Sequence, residues 1–175
     1  MTLRDKMFSF DGRLRRRDYW GISIALGLTV FVLTEIIMLY GFGPDYSLFI
    51  GGFEAGERRA AEGWPYAVQM LISGVTIWPN LAMSAKRAHD RNKSAKFLVG
   101  LLVVFWAYSF AQVPLMGWLV ALATNPSGMI AYLGITLLTL AVSLYVFVVV
   151  GCLDGTPGSN RFGPSPKAGE LGNAS

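Results

Sequence analysis

Hydrophobic residues are concentrated in four blocks that short polar segments separate. A helix needs about 20 mostly apolar residues to cross the hydrocarbon core of a bilayer. All four blocks reach that length, and they cover residues 20–42, 65–85, 97–123 and 129–153. The pattern therefore predicts an all-α membrane protein with four transmembrane helices in a bundle.

Three regions follow from the same pattern. A basic N-terminal segment (1–19) precedes the four-helix transmembrane domain (20–153), and a Gly/Pro-rich tail (154–175) follows it. The apolar run of the first block exceeds the 7–15 residues of a typical signal-peptide core. We therefore expect the first block to be a retained helix.

Composition supports the same class of protein. Hydrophobic residues make up 53% of the 175 and charged residues only 15%, and the mean hydropathy is +0.46. A soluble domain carries about 25% charged residues, so this chain has too few to cover a globule. The single cysteine, Cys152, excludes an internal disulfide and a cysteine-based zinc cluster.

The distribution of Lys and Arg predicts the orientation in the membrane. Six lie before the first block, five between the second and third blocks and two in the tail, whereas the loop between the first two blocks holds two. Thirteen of the 15 thus fall on one side of a four-span topology. Because cytoplasmic loops collect Lys and Arg, we expect both termini in the cytoplasm.

The net charge of +4 is explained by this topology, so it is not a sign of nucleic-acid binding. A nucleic-acid interface would need a soluble basic face, and no segment outside the blocks is long enough to fold as one. Arg13, Arg16, Arg17 and Trp20 are spaced i, i+3, i+4, i+7. That spacing predicts one shared helical face at the level of the lipid headgroups.

Three polar segments together resemble one family. Residues 8–20 (FSFDGRLRRRDYW) resemble the opening pattern F-x-G-R-x-x-R-x-x-[YF]-W of the DUF805 proteins. Residues 87–94 (RAHDRNKS) resemble the pattern R-R-L-H-D-x-x-x-S-G-W, and residues 158–164 (GSNRFGP) are similar to the terminal G-x-N-x-[FY]-G. The resemblance implies a small helical protein of the bacterial inner membrane and no established activity.

By the predicted topology, all three segments lie at the cytoplasmic face of the membrane. Their polar side chains are then expected to converge into one cluster: Arg13, Arg16, Arg87, His89, Asp90, Asn160 and Arg161. Such a cluster could bind an anionic headgroup or the acidic segment of a protein partner, since arginine pairs bidentately with phosphate and carboxylate. Alternatively, these residues tie loops to helix ends, with Asp90 neutralising Arg87 or Arg91.

The sequence gives little support to catalysis. His89 is the only histidine, and zinc needs three or four protein ligands. No nucleophile elbow, zinc-protease motif, P-loop or dinucleotide fingerprint is present. We therefore expect a protein that is not an enzyme and that uses no cofactor or metal.

Glu35 is the only acidic residue within the four blocks. Gln69 and Gln112 are predicted to lie at a similar depth, so the three side chains could hydrogen-bond across the bundle. Glu35 could instead extend to the external interface or serve an ion path. The following loop is compatible with a short interfacial helix near residues 54–62.

The leading hypothesis is a non-enzymatic inner-membrane protein that binds anionic lipid or a protein partner through the cytoplasmic cluster. The partner could be another membrane protein or a second copy of the chain. The alternative is a small transporter or channel component that uses Glu35.

Overall fold

The computed structural model describes residues 1–61, 63–111 and 124–166. These residues form helices joined by short loops, and they contain no β-strand; one isolated backbone bridge pairs Asn160 with Gly163. The prediction of an all-α protein is confirmed for this part of the chain.

Seven α-helices lie in the described ranges: α1 (Leu3–Phe8), α2 (Arg16–Gly41), α3 (Leu48–Ala61), α4 (Gly63–Val75), α5 (Ile77–Asp90), α6 (Lys96–Ala111) and α7 (Pro126–Val146). A 3₁₀ turn at Pro44–Tyr46 precedes α3, and a π-helical turn at Phe147–Cys152 extends α7.

Two of these helices are long and apolar enough to cross a membrane. They are α2, with 26 residues, and α7 together with its π-helical turn, with 27. At about 1.5 Å per residue each is about 40 Å long, more than the hydrocarbon core requires. Helix α6 is apolar over its 16 described residues. The rest of the predicted third span (112–123) lies outside the described residues.

The start of α2 differs from the prediction. The helix begins at Arg16, so Arg13 precedes it and does not share a helical face with Arg16, Arg17 and Trp20. Gly12 has a φ of +88°, a conformation that turns the chain just before Arg13. The side chain of Arg13 is buried, whereas Arg16 and Arg17 are exposed.

The predicted second span is interrupted at Thr76, between α4 and α5. Thr76 donates both its backbone N–H and its hydroxyl to the carbonyl of Ser73, at 3.0 and 2.7 Å. Pro79 has no N–H to donate to the carbonyl of Val75, four residues earlier, so a regular helix cannot continue through this point.

The chain forms two compact units. One comprises residues 21–80. The other comprises residues 1–20 with the chain from Leu81 onward. In the second unit the indole N–H of Trp20 donates to the carbonyl of Gly151 at 2.9 Å. A Cβ on Gly151 would lie 2.6 Å from the Trp20 ring, so this contact requires glycine.

We expect Gly151→Ala to lower the free energy of unfolding by about 1–3 kcal/mol, because the added methyl group displaces Trp20. Thermal unfolding of the detergent-solubilised protein, followed by tryptophan fluorescence, measures the change. The control is Gly134→Ala on α7, where a Cβ meets no atom within 4 Å. Equal unfolding temperatures for the two variants would contradict the close packing of Trp20 on Gly151.

Candidate functional site

The carboxylate of Asp90, at the end of α5, lies between two arginines. The Nε of Arg13 donates to Oδ1 at 2.9 Å, and the guanidinium of Arg87 donates to Oδ2 at 2.8 Å. No more than 6% of any of the three side chains is exposed. This buried Arg13–Asp90–Arg87 triad is the centre of the candidate site.

Both arginines donate their remaining N–H groups to backbone carbonyls. Arg87 donates to Val150 at 2.8 Å, to Leu153 at 2.5 Å and to Leu14 at 3.1 Å. The last carbonyls of a helix have no partner within it, and Arg87 satisfies two at the end of the α7 extension. A cation is also favoured at this end of a helix by the macrodipole.

Arg13 connects the triad to the tail. Its guanidinium donates to the carbonyls of Thr156 and Gly158, both at 2.6 Å. Thr156 in turn donates its N–H and its hydroxyl to the backbone carbonyl of Asp90, at 2.8 and 3.0 Å. A Cβ on Gly155 would overlap the Asp90 carboxylate. The tail can therefore run against Asp90 only because residue 155 is glycine.

The third motif segment packs on the end of α5. The side-chain amide of Asn160 donates to the carbonyl of His89 at 3.0 Å. The ring of Phe162 stacks on that of His89, with 3.9 Å between centroids and 10° between planes. Arg161 lies 4.7 Å above the Phe162 ring and donates to the carbonyl of Asn92 at 3.3 Å.

Burial lowers the pKa of His89, although the backbone carbonyl of Gly12 and the charge of Asp11 favour the protonated ring. Its Nδ1 is buried and has no hydrogen-bond partner in the described part of the chain. The folded protein therefore favours a neutral ring stacked on Phe162.

A cavity of about 330 Å³ opens beside the triad. Its charged lining consists of five arginines and two aspartates, a formal excess of three positive charges: Arg13, Arg15, Arg16, Arg17, Arg87, Asp90 and Asp154. The tail supplies the rest of the wall through residues 155–157, 165 and 166. Arg16 is half exposed; it donates to the carbonyl of Cys152 at 2.9 Å and lies 3.6 Å from Asp154. The cavity therefore has a neutralised floor and a cationic rim.

The structure thus brings together all seven residues of the predicted cluster, in three different environments. Arg13, Arg87 and Asp90 are buried, and Arg16 lines the rim of the cavity. His89, Asn160 and Arg161 lie on the adjoining tail contact. Asp90 neutralises Arg87, as the structural interpretation expected, and it also binds Arg13. Sequence reasoning missed Arg15, Arg17 and Asp154 as lining residues, although the run of arginines at 15–17 was a usable signal.

A buried lysine was also missed. Lys86 is fully buried, and its Nζ donates to the carbonyl of Asp5 and, at 3.1 Å, to that of Lys6. It thereby caps the C-terminal end of the short helix α1. Burial lowers the pKa of Lys86, opposed by the charges of Asp5 and Asp11.

Glu35 belongs to a separate network in the unit formed by residues 21–80. Arg59 donates to its Oε1 at 2.6 Å, and the Ser47 hydroxyl and the Leu48 N–H donate to its Oε2 at 3.1 and 2.7 Å. Arg59 reaches Glu35 inside the fold, and the Glu35 side chain is buried. Gln69 is not among its described partners, and Gln112 lies outside the described residues.

Most of the chain matches the profile of one protein family. The sequence profile of the family described as "Protein of unknown function (DUF805)" matches residues 7–164. The chain belongs to the DUF805 family. The match encloses the triad, the tail contact and the Glu35 network, so all three lie within the family's domain.

Curated relatives of this DUF805 protein come from Escherichia coli. "Inner membrane protein YhaH" of strain K12 is 28% identical over 159 residues, which are 90% of this chain and 87% of the relative. "Inner membrane protein YhaI" is 26% identical over 160 residues, 91% and 87% of the two chains. "Uncharacterized protein YiiR" is 28% identical over 167 residues, 93% and 89%. No solved structure matches. With the apolar helices α2 and α7, these relatives identify a membrane protein.

We expect Asp90→Asn to lower the free energy of unfolding by about 3–5 kcal/mol, since it leaves two buried guanidiniums without a counter-charge. Asp154→Asn is the matched control. Its side chain is 62% exposed, so the same change should cost less than about 1 kcal/mol. Denaturation in mixed micelles measures both. Similar losses in the two variants would show that the triad does not hold the fold.

The lowered pKa of His89 predicts a pH dependence. The unfolded chain binds a proton near pH 6.5, whereas the folded chain binds it only at lower pH. The contribution of His89 to the free energy of unfolding should therefore be fully present above about pH 6.5. It should be lost as the pH falls below that value. His89→Gln should make this dependence shallower in thermal unfolding between pH 5 and 8. An unchanged slope in the variant would exclude His89 as its source.

Proposed function

We propose that this DUF805 protein is a multi-pass inner-membrane protein that holds an anionic phospholipid headgroup in the arginine-lined cavity. The protein would have four spans, both termini in the cytoplasm and no catalytic activity. The observation that carries the proposal is the excess of three positive charges around a cavity of about 330 Å³.

The topology rests on helix length and charge. Helices α2 and α7 can each cross a bilayer, and α4 with the first part of α5 covers a similar length across the interruption at Thr76. The apolar helix α6 would begin the third span. The 13 basic residues on one side of the four-span arrangement favour cytoplasmic termini, and the inner-membrane relatives favour this location.

The size and charge of the cavity suit a headgroup. Sites for small molecules have volumes of about 300–1,000 Å³, and arginine binds phosphate through two parallel N–H···O bonds. Basic pockets at the cytoplasmic end of membrane helices are a common site for anionic headgroups. The buried triad would serve as the floor of the site, and Arg15, Arg16 and Arg17 would contact the phosphate.

The sequence is also compatible with an acidic protein partner and with a transporter that uses Glu35. An acidic segment of a protein partner, including a second copy, would meet the same rim arginines, and the experiment below separates it from lipid. The transporter alternative requires an available Glu35, and the carboxylate is already bonded to Arg59, Ser47 and Leu48. The headgroup proposal is therefore the better supported.

The test compares the wild type with Arg16→Gln/Arg17→Gln in nanodiscs of equal parts phosphatidylglycerol and phosphatidylcholine. We expect native mass spectrometry of the released wild type to show retained phosphatidylglycerol, at least tenfold less in the variant. The control is Lys93→Gln/Lys96→Gln, which removes the same charge from exposed positions outside the cavity.

Equal retention in the two double variants would reject the cavity as the lipid site. A protein from the native membrane that is held by the wild type and lost from Arg16→Gln/Arg17→Gln, without bound lipid, would reject the headgroup proposal in favour of an acidic partner. Proton or cation flux that Glu35→Gln abolishes in vesicles would instead favour the transporter.

A further inference from the structure

The segment that follows α2 folds back along that helix. This strap, residues 42–61, contains the 3₁₀ turn and α3. Its Leu48 N–H and Ser47 hydroxyl bind Glu35, which lies six residues before the end of α2. Six residues of helix correspond to about 9 Å. The start of α3 therefore lies beside α2 at a point about 9 Å along the helix axis from its C-terminal end.

An aromatic contact extends along the helix even further. The rings of Phe49 and Phe31 meet edge to face at 5.5 Å between centroids. Phe31 lies ten residues before the end of α2, or about 15 Å along its axis. The part of α2 beside it is an apolar helix long enough to span the membrane. The strap thus reaches the depth at which α2 would be surrounded by lipid.

The apolar side chains of the strap point outward. Phe49, Ile50 and Phe53 are 71%, 64% and 85% exposed. At the adjoining helix ends, Tyr40 of α2 and Trp64 of α4 are 83% and 79% exposed. Such a set of exposed large apolar side chains on one unit is too extensive for a surface in water. Aromatic residues at the ends of apolar helices are typical of the membrane interface.

The charged residues of the strap are arranged so that the segment can lie beside an apolar helix. Arg59 turns inward, where it binds Glu35 at 2.6 Å and the carbonyl of Tyr46 at 2.5 Å. Charged groups inside a membrane are tolerated when they pair with one another. Within α3 the exposed charged residues Glu54, Glu57 and Arg58 all follow Phe53, whereas exposed Asp45 lies in the 3₁₀ turn before the helix. Helix α3 therefore changes from apolar to polar after residue 53.

We propose that the strap is a membrane-inserted segment, with Phe49, Ile50 and Phe53 among the acyl chains and the Glu35–Arg59 ion pair holding it against α2. Its exposed charged residues are three acids and one arginine: Asp45, Glu54, Glu57 and Arg58. This balance disfavours attraction to anionic headgroups, so the insertion depends on apolar burial. The inference is independent of the headgroup site, which lies in the other unit of the chain.

The test measures the environment of nitroxide labels on the strap. The full chain with Cys152→Ser carries one new cysteine, Phe53→Cys or Glu57→Cys, and is reconstituted in phosphatidylcholine vesicles containing phosphatidylglycerol. Paramagnetic resonance then compares collisions with oxygen, which concentrates in lipid, and with a water-soluble nickel chelate. We expect oxygen to dominate at position 53 and the nickel chelate to dominate at position 57.

Nickel collisions at position 53 equal to those at 57 would show a strap in water and overturn the proposal. Low collision rates for both reagents at 53 would show a protein-covered strap and overturn it as well. In the Phe53→Cys background, Glu35→Gln should raise nickel collisions at least threefold, whereas the control Glu54→Gln should not. No change with Glu35→Gln would overturn the role of the ion pair, and the wild-type profile tests insertion even if that variant misfolds.

Discussion

A buried carboxylate between two guanidiniums is the interaction on which the structure around the end of α5 depends. Removing two positive charges and one negative charge from water is costly unless each is paired and hydrogen-bonded. Arg13 and Arg87 meet this requirement by reaching the Asp90 carboxylate and the backbone carbonyls of several segments, among them those of Leu14, Val150, Leu153, Thr156 and Gly158. Those carbonyls belong to the N-terminal segment, the extension of α7 and the tail. The electrostatic requirement of the triad therefore fixes where these segments meet.

The same requirement divides the arginines into two groups. Arg13 and Arg87 have their donors directed at the protein, so they contribute mainly shape and a neutralised floor. Arg16 and Arg17 are exposed at the rim, where a phosphate could approach them. The arginines of such a motif segment thus need not all bind a ligand. In the proposed headgroup site, Arg15 and Arg17, which lie between or beside the motif residues Arg13 and Arg16, would contribute to binding as Arg16 does.

The all-α class and the apolar helices α2 and α7 could be predicted from the sequence, because apolar blocks of about 20 residues have a direct physical meaning in a bilayer. The contact between the three motif segments was also predictable, because the distribution of Lys and Arg predicts them on one side of the membrane. The position of Arg13 could not. Helical spacing alone predicts that Arg13 shares a face with Arg16. In the structure Arg13 precedes the helix, because the chain turns at Gly12 and the Arg13 side chain pairs with Asp90, 77 residues away in sequence.

Long-range pairs account for the other differences. Glu35 and Arg59 are separated by 24 residues, and they meet only because the chain reverses after α2. Lys86 reaches the end of α1, 80 residues earlier, and a lysine near the end of an apolar block looks in sequence like a topological charge. Gly155 is one of several glycines in the tail, and nothing in the sequence shows that the Asp90 carboxylate packs against it. Local sequence patterns cannot predict these contacts, because their partners are far apart in sequence.

The most direct test of the central claim is a double-mutant cycle between Arg13→Gln and Asp90→Asn, measured as free energies of unfolding in mixed micelles. Residues that share a buried network have coupling energies of about 0.5–3 kcal/mol. The account predicts coupling in the upper part of that range, with the double variant more stable than the sum of the single losses implies. Additive losses would show that Arg13 and Asp90 act separately, and they would contradict the triad as the organising interaction.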